Sequence, residues 1–424
     1  MVPVQQFGAV GDGVADDTAA LRHAVEQCRG ELYFPRGVYR LTQTLEIPLA
    51  EHGPLSIRGG GGAALRMEGA GPALRLIGTH QGSASPASVQ PGVYARERMP
   101  TLDGLEIVGA HPEADGIEVR GVIKLNCHRL FVRECRDAIR LVVRNRDVLI
   151  DGCQLYNNRG CGLLLDQVNL HQINVVGCHI SYNQAGGIKV VDSEVRNLQI
   201  TGNDIEYNYG PNTRDAADLA LLTGAESIRE GTIASNTIQA RPSPGGANVR
   251  FVGQSRDVAH KVGLFTITGN LISNQETVLH LKWARGVVVS GNCFYGGHQR
   301  GALVEESSNL VFSGNLWEHN PDYRGDTPDG MTFRDCAAVT VTGLHVDRAR
   351  GETAALSFQR CEDLSITGCQ LFDCSPAALE LIDCRHALVS GNRIRDRREP
   401  PLMTMPLRIH GGADLVVRDN AGAD

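Results

Sequence analysis

A repeated pattern of alternating apolar and polar residues runs along the chain from about residue 127 onward. Each copy reads as a β-branched strand, a turn of small residues and a second short strand, as in INVVGCHISYN and FTITGNLISN. Alternation with a period of two predicts β-strands that bury one face. The small residue in each turn recurs every 22 to 34 residues, and the intervals cluster near 25. These anchor residues are Gly152, Gly177, Gly202, Ser235, Gly269, Gly291, Gly314, Gly343, Gly368 and Gly391.

A repeat of about 25 residues without a helix is too small to bury its own apolar face. Copies must therefore stack, and each coil of three short strands adds roughly 4.8 Å to the height of the stack. The pattern predicts an all-β chain that folds as a single-stranded parallel β-helix. We expect this helix over residues 46–424, as one continuous domain with an amino-terminal cap and first strands over residues 1–45.

The residue after each anchor predicts a column inside the stack. Most members are Asn, whose amides can hydrogen-bond from coil to coil, or Cys, which suits a small buried position. Because many of the 12 cysteines recur at matching points of the repeat, we interpret most of them as reduced core residues. Tyr156, Tyr182 and Tyr207 are expected to form a stacked column on the surface. The first column is Cys153, Cys178, Asn203, Asn236, Asn270, Asn292, Asn315, Leu344, Cys369 and Asn392, and a second one is Cys336, Cys361 and Cys384.

The opening stretch FGAVGDGVADDTAALRHAVEQC combines a glycine-rich turn with an amphipathic pattern. Its glycine spacing matches neither of the nucleotide-binding motifs G-x-G-x-x-G and G-x-x-x-x-G-K-[ST]. Asp12, Asp16 and Asp17 also lie where a phosphate would have to bind. Asp16, Asp17 and Thr18 suit the start of a helix, and the apolar spacing predicts that helix over residues 18–28. Since the first coil of a stack exposes apolar surface and strand edges, we expect this helix to cover that end.

Composition excludes several classes of partner. The net charge is −7 and basic residues are dispersed, which argues against a nucleic acid. No run approaches 18 apolar residues and residues 1–6 do not resemble a signal peptide, so we expect no membrane partner. With reduced thiols, the chain is predicted to be cytoplasmic, or to have lost a signal peptide.

The segment FGAVGDGVADDTAALRHAVE, followed by LYFPRGVYRL, resembles the amino-terminal signature of the pectate lyase superfamily of right-handed parallel β-helices. The resemblance implies a right-handed helix and a polysaccharide or oligosaccharide as the partner. It also implies that a homotrimer is one form the chain could take. The superfamily includes polysaccharide lyases, glycoside hydrolases, epimerases and phage tailspikes, so the resemblance does not choose among these activities.

The resemblance implies that one strand of each coil carries the site on its outward face. This strand can be aligned over LHLKWARGVVVSGN, ALVEESSNLVFSGN and MTFRDCAAVTVTGL. Alternation places one set of residues inside, namely Leu279, Leu281, Ala302, Val304, Met331 and Phe333. Long connections at residues 206–218, 239–248 and 317–330 predict the walls of a groove. Its floor is predicted to contain His280, Lys282 and Glu305, flanked by Arg250 and Arg334, with Lys189 and Asp218 outward on earlier coils.

Two chemistries fit this floor. In β-elimination from a uronic acid, the carboxylate is neutralised and a base removes the proton at C5. Arg250 and Arg334 are candidate neutralisers, and Lys282 or His280 is the candidate base. Lys282 and Glu305 equally fit a plain cross-strand ion pair.

Hydrolysis instead needs two carboxyl groups at a defined separation. Glu305 could act with Asp218, or with a wall acid such as Glu318, Asp322 or Asp329. The pattern of polygalacturonases is absent, since NTRDAAD is the nearest text to its N-T-D motif and no G-H-G occurs. Lys189, Glu318 and Asp329 complete the predicted substrate-binding set.

No cofactor is predicted, and no zinc signature occurs. Calcium is the one alternative, with Asp218 and Glu305 as part of its oxygen ligands. We favour a carbohydrate-active enzyme that cleaves glycosidic bonds, with β-elimination slightly ahead of hydrolysis or fructan-type transfer. A tailspike-like carbohydrate-binding protein and a purely structural repeat protein are the alternatives.

Overall fold

The computed structural model of this chain describes residues 1–82, 85–211, 213–255, 261–319 and 327–422. The chain divides into two compact units, Met1–Pro211 and Asn212–Asp424, which we call the amino-terminal and carboxy-terminal units. Strands dominate both units, and the strand pairings within each are parallel. No helix in the described ranges is both long enough and apolar enough to cross a membrane.

The amino-terminal unit contains every α-helix of the described residues. The helix Thr18–Gln27 confirms the predicted one to within a residue, and it packs next to the strand Leu45–Pro48. The other helices are the α-helices Leu49–His52 and Pro91–Arg96 and the 3-10 helices Val4–Phe7 and Pro86–Ser88. The strands of one sheet are Val2–Pro3, Glu31–Phe34, Leu45–Pro48, Ser56–Gly59, Gly71–Ile77, Thr101–Asp103, Ala114–Ile123, Asn126–His128, Ile139–Asp151, Cys161–Val176, Gly186–Val191 and Glu194–Thr201. The strands of the other are Asp12–Asp16, Gly37–Leu41, Ala63–Met67, Glu106–Gly109, Phe131–Arg133, Gln154–Tyr156, His179–Ser181 and Asp204–Glu206.

The carboxy-terminal unit repeats a coil of three strands, and each strand joins its own ladder. The first ladder consists of Ala217–Leu222, Ala247–Val252, Thr277–Lys282, Arg300–Glu305, Met331–Arg334, Leu356–Gln359, Ala377–Ile382 and Met405–His410. The second consists of Ile228–Ala234, Val262–Thr268, Ala284–Ser290, Ser308–Ser313, Ala337–Thr342, Glu362–Thr367, Arg385–Ser390 and Ala413–Arg418. The third consists of Thr237–Gln239, Leu271–Ser273, Cys293–Tyr295, Leu316–Glu318, His345–Asp347, Gln370–Phe372 and Arg393–Arg395.

The predicted register of the first ladder is confirmed. Leu279 pairs with Ala302, and Ala302 pairs with Met331, so residues at matching points of the repeat lie above one another. All six residues predicted to face inward are buried. Alternate residues of these strands therefore point out of the stack, which sets the positions of the candidate site.

The predicted Asn and Cys column is also confirmed. The anchor glycines adopt left-handed backbone with φ between 58° and 69°, a region that glycine enters without the steric cost of a Cβ. The next residue turns inward, and the Asn292 amide donates to Asn315 Oδ1 and accepts from Asn270 Nδ2, both at 2.9 Å. Cys178 accepts from the amide of Cys153 and donates its own N–H to Asn203, which continues the pattern in the amino-terminal unit. All 12 cysteines are free thiols.

Replacing Asn292 by leucine should lower the free energy of unfolding by about 2–4 kcal/mol, because it leaves the backbone N–H of Asn270 and one N–H of its side-chain amide without an acceptor. Chemical denaturation followed by circular dichroism measures this change. Gln370→Ala, on an exposed position of the third ladder, is the matched control and should change stability little. A loss as small for Asn292→Leu as for the control would mean that the column does not stabilise the stack.

The glycine-rich turn at the amino terminus binds a carboxylate of its own chain. The buried side chain of Asp17 accepts hydrogen bonds from the backbone N–H groups of Val10 and Gly11, at 2.5 and 3.1 Å. Asp17 is the N-cap residue of the helix but makes no side-chain capping bond, and Asp16 instead accepts from the N–H of Thr18 at 3.0 Å. The turn therefore uses its backbone donors for a structural bond, in agreement with the absence of a nucleotide motif.

Candidate functional site

The predicted floor lies on the outward face of the first ladder in the carboxy-terminal unit. His280 is the register neighbour of Arg250, and Lys282 is the register neighbour of Glu305. Glu305 in turn pairs with Arg334 on the next coil. The structure thus brings together five residues that the sequence predicted for this face.

His280, Glu305 and Arg334 form the electrostatic centre of the floor. His280 Nε2 lies 3.5 Å from Glu305 Oε2, and Arg334 donates to Glu305 Oε1 at 3.2 Å. The first distance is longer than an ordinary N–H···O bond, and Nε2 has no hydrogen-bond partner among the described residues. The imidazole therefore lies beside the carboxylate with its Nε2 atom unsatisfied.

Lys282 does not form the cross-strand ion pair that was one reading of the sequence. Within the described ranges it has no acidic partner, and its ammonium lies 4.5 Å from the centre of the Trp283 ring. An aromatic face stabilises a cation without pairing it with a carboxylate. Lys282 is thus a cation available to a ligand on the floor.

Arg250 is buried, with 9% of its surface exposed. Its guanidinium donates to the backbone carbonyls of Asp215 at 2.7 Å and of Gly245, both in connections that were predicted as walls. No carboxylate of the described chain lies within ion-pair distance, and Nε has no partner there. Burial lowers the pKa of this guanidinium, which is the expected sign for a cation removed from water. The floor therefore contains a fixed positive charge that no described carboxylate pairs directly, although Asp215 lies close enough to offset part of it.

These surroundings determine the protonation of His280. Burial lowers the pKa of its imidazole from 6.5 to about 4, and the neighbouring Arg250 cation adds to the shift, against the opposing influence of Glu305. His280 is consequently neutral at pH 7. The Glu305 carboxylate favours the tautomer with the proton on Nε2, which leaves the lone pair on Nδ1 as the basic atom.

This shift predicts a pH dependence of stability. Since the folded state has the lower pKa, the unfolded chain binds more protons between about pH 4 and 6.5, and stability rises with pH across this window. His280 alone should contribute about 2–4 kcal/mol that is present above pH 6.5 and lost as the pH falls to 4. An NMR titration of the ring, assigned with His280→Gln, should show a midpoint near 4. A midpoint near 6.5 would contradict the described environment.

Asp218 is not placed to act with Glu305 as the hydrolase alternative required. It is buried and accepts from Asn248 Nδ2 at 3.0 Å, so its carboxylate is used inside the structure. By register it lies three coils and four strand positions from Glu305, which corresponds to about 14 Å along the stack and about 13 Å along the strand. Paired catalytic carboxyls of glycosidases lie about 5–9.5 Å apart, so these two cannot form such a pair. They cannot share a calcium ion either.

The remaining predicted residues lie elsewhere. Glu318 ends a strand of the third ladder, between Tyr295 and Asp347. Asp329 is buried against His319, so it supports another side chain and does not face a ligand. Lys189 belongs to the amino-terminal unit, where Leu164 is its register neighbour. Asp322 lies outside the described residues, as do residue 212 and residues 320–326 of the predicted walls.

Sequence reasoning missed the polar residues that continue the floor toward the carboxy terminus. Gln359 accepts from Arg334 at 3.3 Å and donates to Ser357 at 3.2 Å. Ser357 donates to the buried Glu380 at 3.0 Å, and Arg408 donates to Glu380 at 3.1 Å. Glu380 and Arg408 fall at the same point of the repeat as His280, so extending the alignment by three coils would have found them. In the described residues, no group of three or more His, Cys, Asp or Glu is placed to hold a metal ion.

Comparison with known proteins supports the fold. No curated protein matches this chain in sequence. The A-module of the mannuronan C-5 epimerase AlgE4 from Azotobacter vinelandii is 14% identical in sequence and has a TM-score of 0.53. The alignment covers 98% of this chain and 99% of that module. The pre-mature gene product 12 of bacteriophage phi29 is 15% identical in sequence and has a TM-score of 0.56. That alignment covers 97% of this chain and 57% of the phage protein. At these identities the likeness shows the fold alone.

Two family models match. Residues 1–51 match the model described as rhamnogalacturonase A/epimerase, pectate lyase-like, which covers the segment whose motifs resembled that superfamily. Residues 87–237 and 259–421 match the model of the right-handed β-helix region, so most of the chain is covered. Both matches confirm the predicted pectate lyase-like, right-handed parallel β-helix. With its stacked three-strand coils and these matches, the chain belongs to the right-handed β-helix family.

Proposed function

We propose that this chain is a carbohydrate-active enzyme that cleaves an acidic polysaccharide by β-elimination at a uronic acid residue. The observation that carries the proposal is the neutral imidazole of His280, which lies between the Arg250 cation and the Glu305–Arg334 pair. A neutral base beside excess positive charge is what removal of a proton next to a carboxylate requires.

The charges of the floor favour an anionic sugar. Arg250, Lys282 and Arg334 contribute three positive charges, and Glu305 contributes one negative charge. A uronate carboxylate would therefore enter a region with a net charge of +2 while His280 is neutral. Partial neutralisation of that carboxylate by the cations stabilises the negative charge that develops when the C5–H bond breaks.

The bound carboxylate would also tune the base. Arg250 contributes to the low pKa of His280, and an anion placed beside this cation offsets its influence. The pKa of His280 should therefore rise in the complex, which makes Nδ1 a stronger base when substrate is present. His280 is therefore unprotonated in the free enzyme and becomes a stronger base when the substrate binds.

The elimination balances with residues of this chain. Nδ1 of His280 takes the C5 proton, the electron pair of the C5–H bond forms the C4–C5 double bond, and the bond from C4 to the glycosidic oxygen breaks. Lys282 is the candidate acid that protonates the departing oxygen. The products are a new chain end and an unsaturated uronate.

The similarity to a mannuronan C-5 epimerase is consistent with this chemistry. A C-5 epimerase inverts the same carbon, so it must also break the C5–H bond. Elimination and epimerisation differ in whether the C4–O bond then breaks or a proton returns to the opposite face. The product thus distinguishes the two reactions.

The test is to incubate the full chain with a panel of acidic polysaccharides and follow ultraviolet absorbance together with reducing ends. We expect absorbance of the unsaturated product to rise in step with reducing ends. Reducing ends without absorbance would show hydrolysis, and inverted C5 centres without either signal would show epimerisation. Binding without any reaction would favour a tailspike-like carbohydrate-binding protein, and each of these three results would overturn the proposal.

A further inference from the structure

The last coil of the carboxy-terminal unit leaves one edge of its strands open. Met405–His410 and Ala413–Arg418 pair with Ala377–Ile382 and Arg385–Ser390 on the coil before them. No strand of the described residues pairs with the other edge of either one. An open edge presents a row of backbone N–H and C=O groups, which proteins ordinarily cover or protect. This end of the stack therefore offers hydrogen-bonding backbone to a partner strand.

The inward-facing side chains of this coil are exposed, although the same positions are buried one coil earlier. Ile409 and Val417 are each 39% exposed, whereas their register neighbours Leu381 and Val389 are 1% and 0% exposed. Val416, next to Val417 on the same strand, is 50% exposed. An apolar surface of this kind beside an open edge is typical of a contact with another protein surface.

The amino-terminal unit contains the kind of cover that this coil does not have. The helix Thr18–Gln27 packs next to the strand Leu45–Pro48, and its Leu21 and Val25 are buried. Among the described residues, the carboxy-terminal unit contains no helix. The apolar residues of its last coil are therefore available to a partner.

The last strand is complementary to itself. A second copy related by a two-fold axis would place Ala413–Arg418 antiparallel to the same strand of that copy. Opposite residues of antiparallel strands share a face, so inward residues must lie opposite inward residues. Centring the pair on Val416 brings Leu415 opposite Val417 and Asp414 opposite Arg418. Centring it one residue earlier or later satisfies the same rule but leaves both charges without an opposite charge.

The two charged residues of this strand keep most of their surface exposed. Asp414 lies 3.4 Å from His386, and its side chain is 73% exposed. Arg418 lies 3.8 Å from Asp419, and its side chain is 67% exposed. Exposed contacts of this length contribute little to stability, so they do not prevent a pair across an interface. The two-fold axis would form the contact between Asp414 and Arg418 twice.

We propose that two copies of this chain associate through their last coils, with the two strands Ala413–Arg418 paired antiparallel and centred on Val416. The contact covers the open edge together with Val416 and Val417. Both copies use the same surface, so the assembly closes at two copies and does not extend into a filament. It therefore differs from the homotrimer that the resemblance implied as one form. The inference does not rest on the proposed function, because it uses no residue of the floor.

The test is sedimentation velocity of the full chain over about a hundredfold range of concentration. We expect a species of twice the monomer mass, whose fraction rises with concentration. Val416→Lys places two like charges opposite each other, and Asp414→Arg replaces each attractive pair by a repulsive one. Each should raise the dissociation constant by at least about tenfold. Leu264→Lys is the matched control, because Leu264 is 53% exposed on an earlier strand of the same ladder, and it should leave association unchanged.

The double variant Asp414→Arg with Arg418→Asp distinguishes this alignment from any other. It restores opposite charges only when the pair is centred on Val416, so it should recover the association of the wild type. If Val416→Lys lacks the wild-type thermal transition, the two charge variants carry the test, because both residues are exposed.

A monomer at every concentration would mean that a second copy does not cover this end, and it would overturn the proposal. A trimer would overturn it too, as would association that neither Val416→Lys nor Asp414→Arg weakens, or a double variant that stays dissociated. Turnover of a polysaccharide is measured separately, so each of these results would leave the proposed function standing.

Discussion

Replacing His280 by glutamine should lower kcat on an acidic polysaccharide by about 10²- to 10⁴-fold, the usual contribution of a general base. Glutamine keeps a polar side chain beside Glu305 but cannot take the C5 proton. Because His280 is already neutral above pH 6.5, the substitution removes no charge at neutral pH, and KM should change far less than kcat. Initial rates of unsaturated product formation measure both constants.

The matched control is His386→Gln, since His386 is exposed and also lies beside acidic groups, 3.4 Å from Asp414 and 3.9 Å from Glu362. It should retain full activity. If His280→Gln kept the wild-type kcat and the same thermal transition, His280 would not be the base. Lys282, the other candidate, would then be tested by the same substitution.

Replacing Arg334 by glutamine should lower kcat/KM by about 10²- to 10³-fold, as expected for removal of a group that stabilises developing negative charge. The substitution also leaves Glu305 without its closest cation, so the net charge of the floor falls by one. Arg334→Lys should recover part of the loss, because it restores the charge but not the paired geometry of the guanidinium. Kinetics at constant ionic strength measure the effect.

Arg360→Gln is the control for loss of a surface arginine in the same unit, since its pair with Asp335 is exposed. It should have no effect on kcat/KM. An equal effect of Arg334→Gln and Arg360→Gln would show that the floor acts through overall charge and not through contact with the substrate.

The sequence predicts the fold well because the coil is a local unit. The interval between anchors and the alternation within each strand together determine which residues lie above one another, and Leu279, Ala302 and Met331 follow that rule. The same rule places His280, Lys282 and Glu305 on one face. Register is a property of backbone pairing, so it could be derived before any side-chain contact was known.

Contacts made by the connections could not be derived in this way. Asp218 and Arg250 follow the alternation rule, yet both are buried, because backbone from the connections and neighbouring amides cover them. Glu305 lies beside His280, whereas Lys282 lies over the Trp283 ring. These neighbours depend on side-chain torsions, which the periodicity of the sequence does not predict. The contact between His319 and Asp329 could not be derived either, because Asp329 lies in an irregular segment.

Removal of the C5 proton by His280 is tested most directly by single-turnover rates on a uronate oligomer carrying deuterium at C5. We predict that the deuterated oligomer reacts more slowly than the ordinary one, that the product absorbs in the ultraviolet, and that His280→Gln suppresses the reaction of both. Equal rates for the two oligomers, with reducing ends formed but no absorbance, would contradict this chemistry.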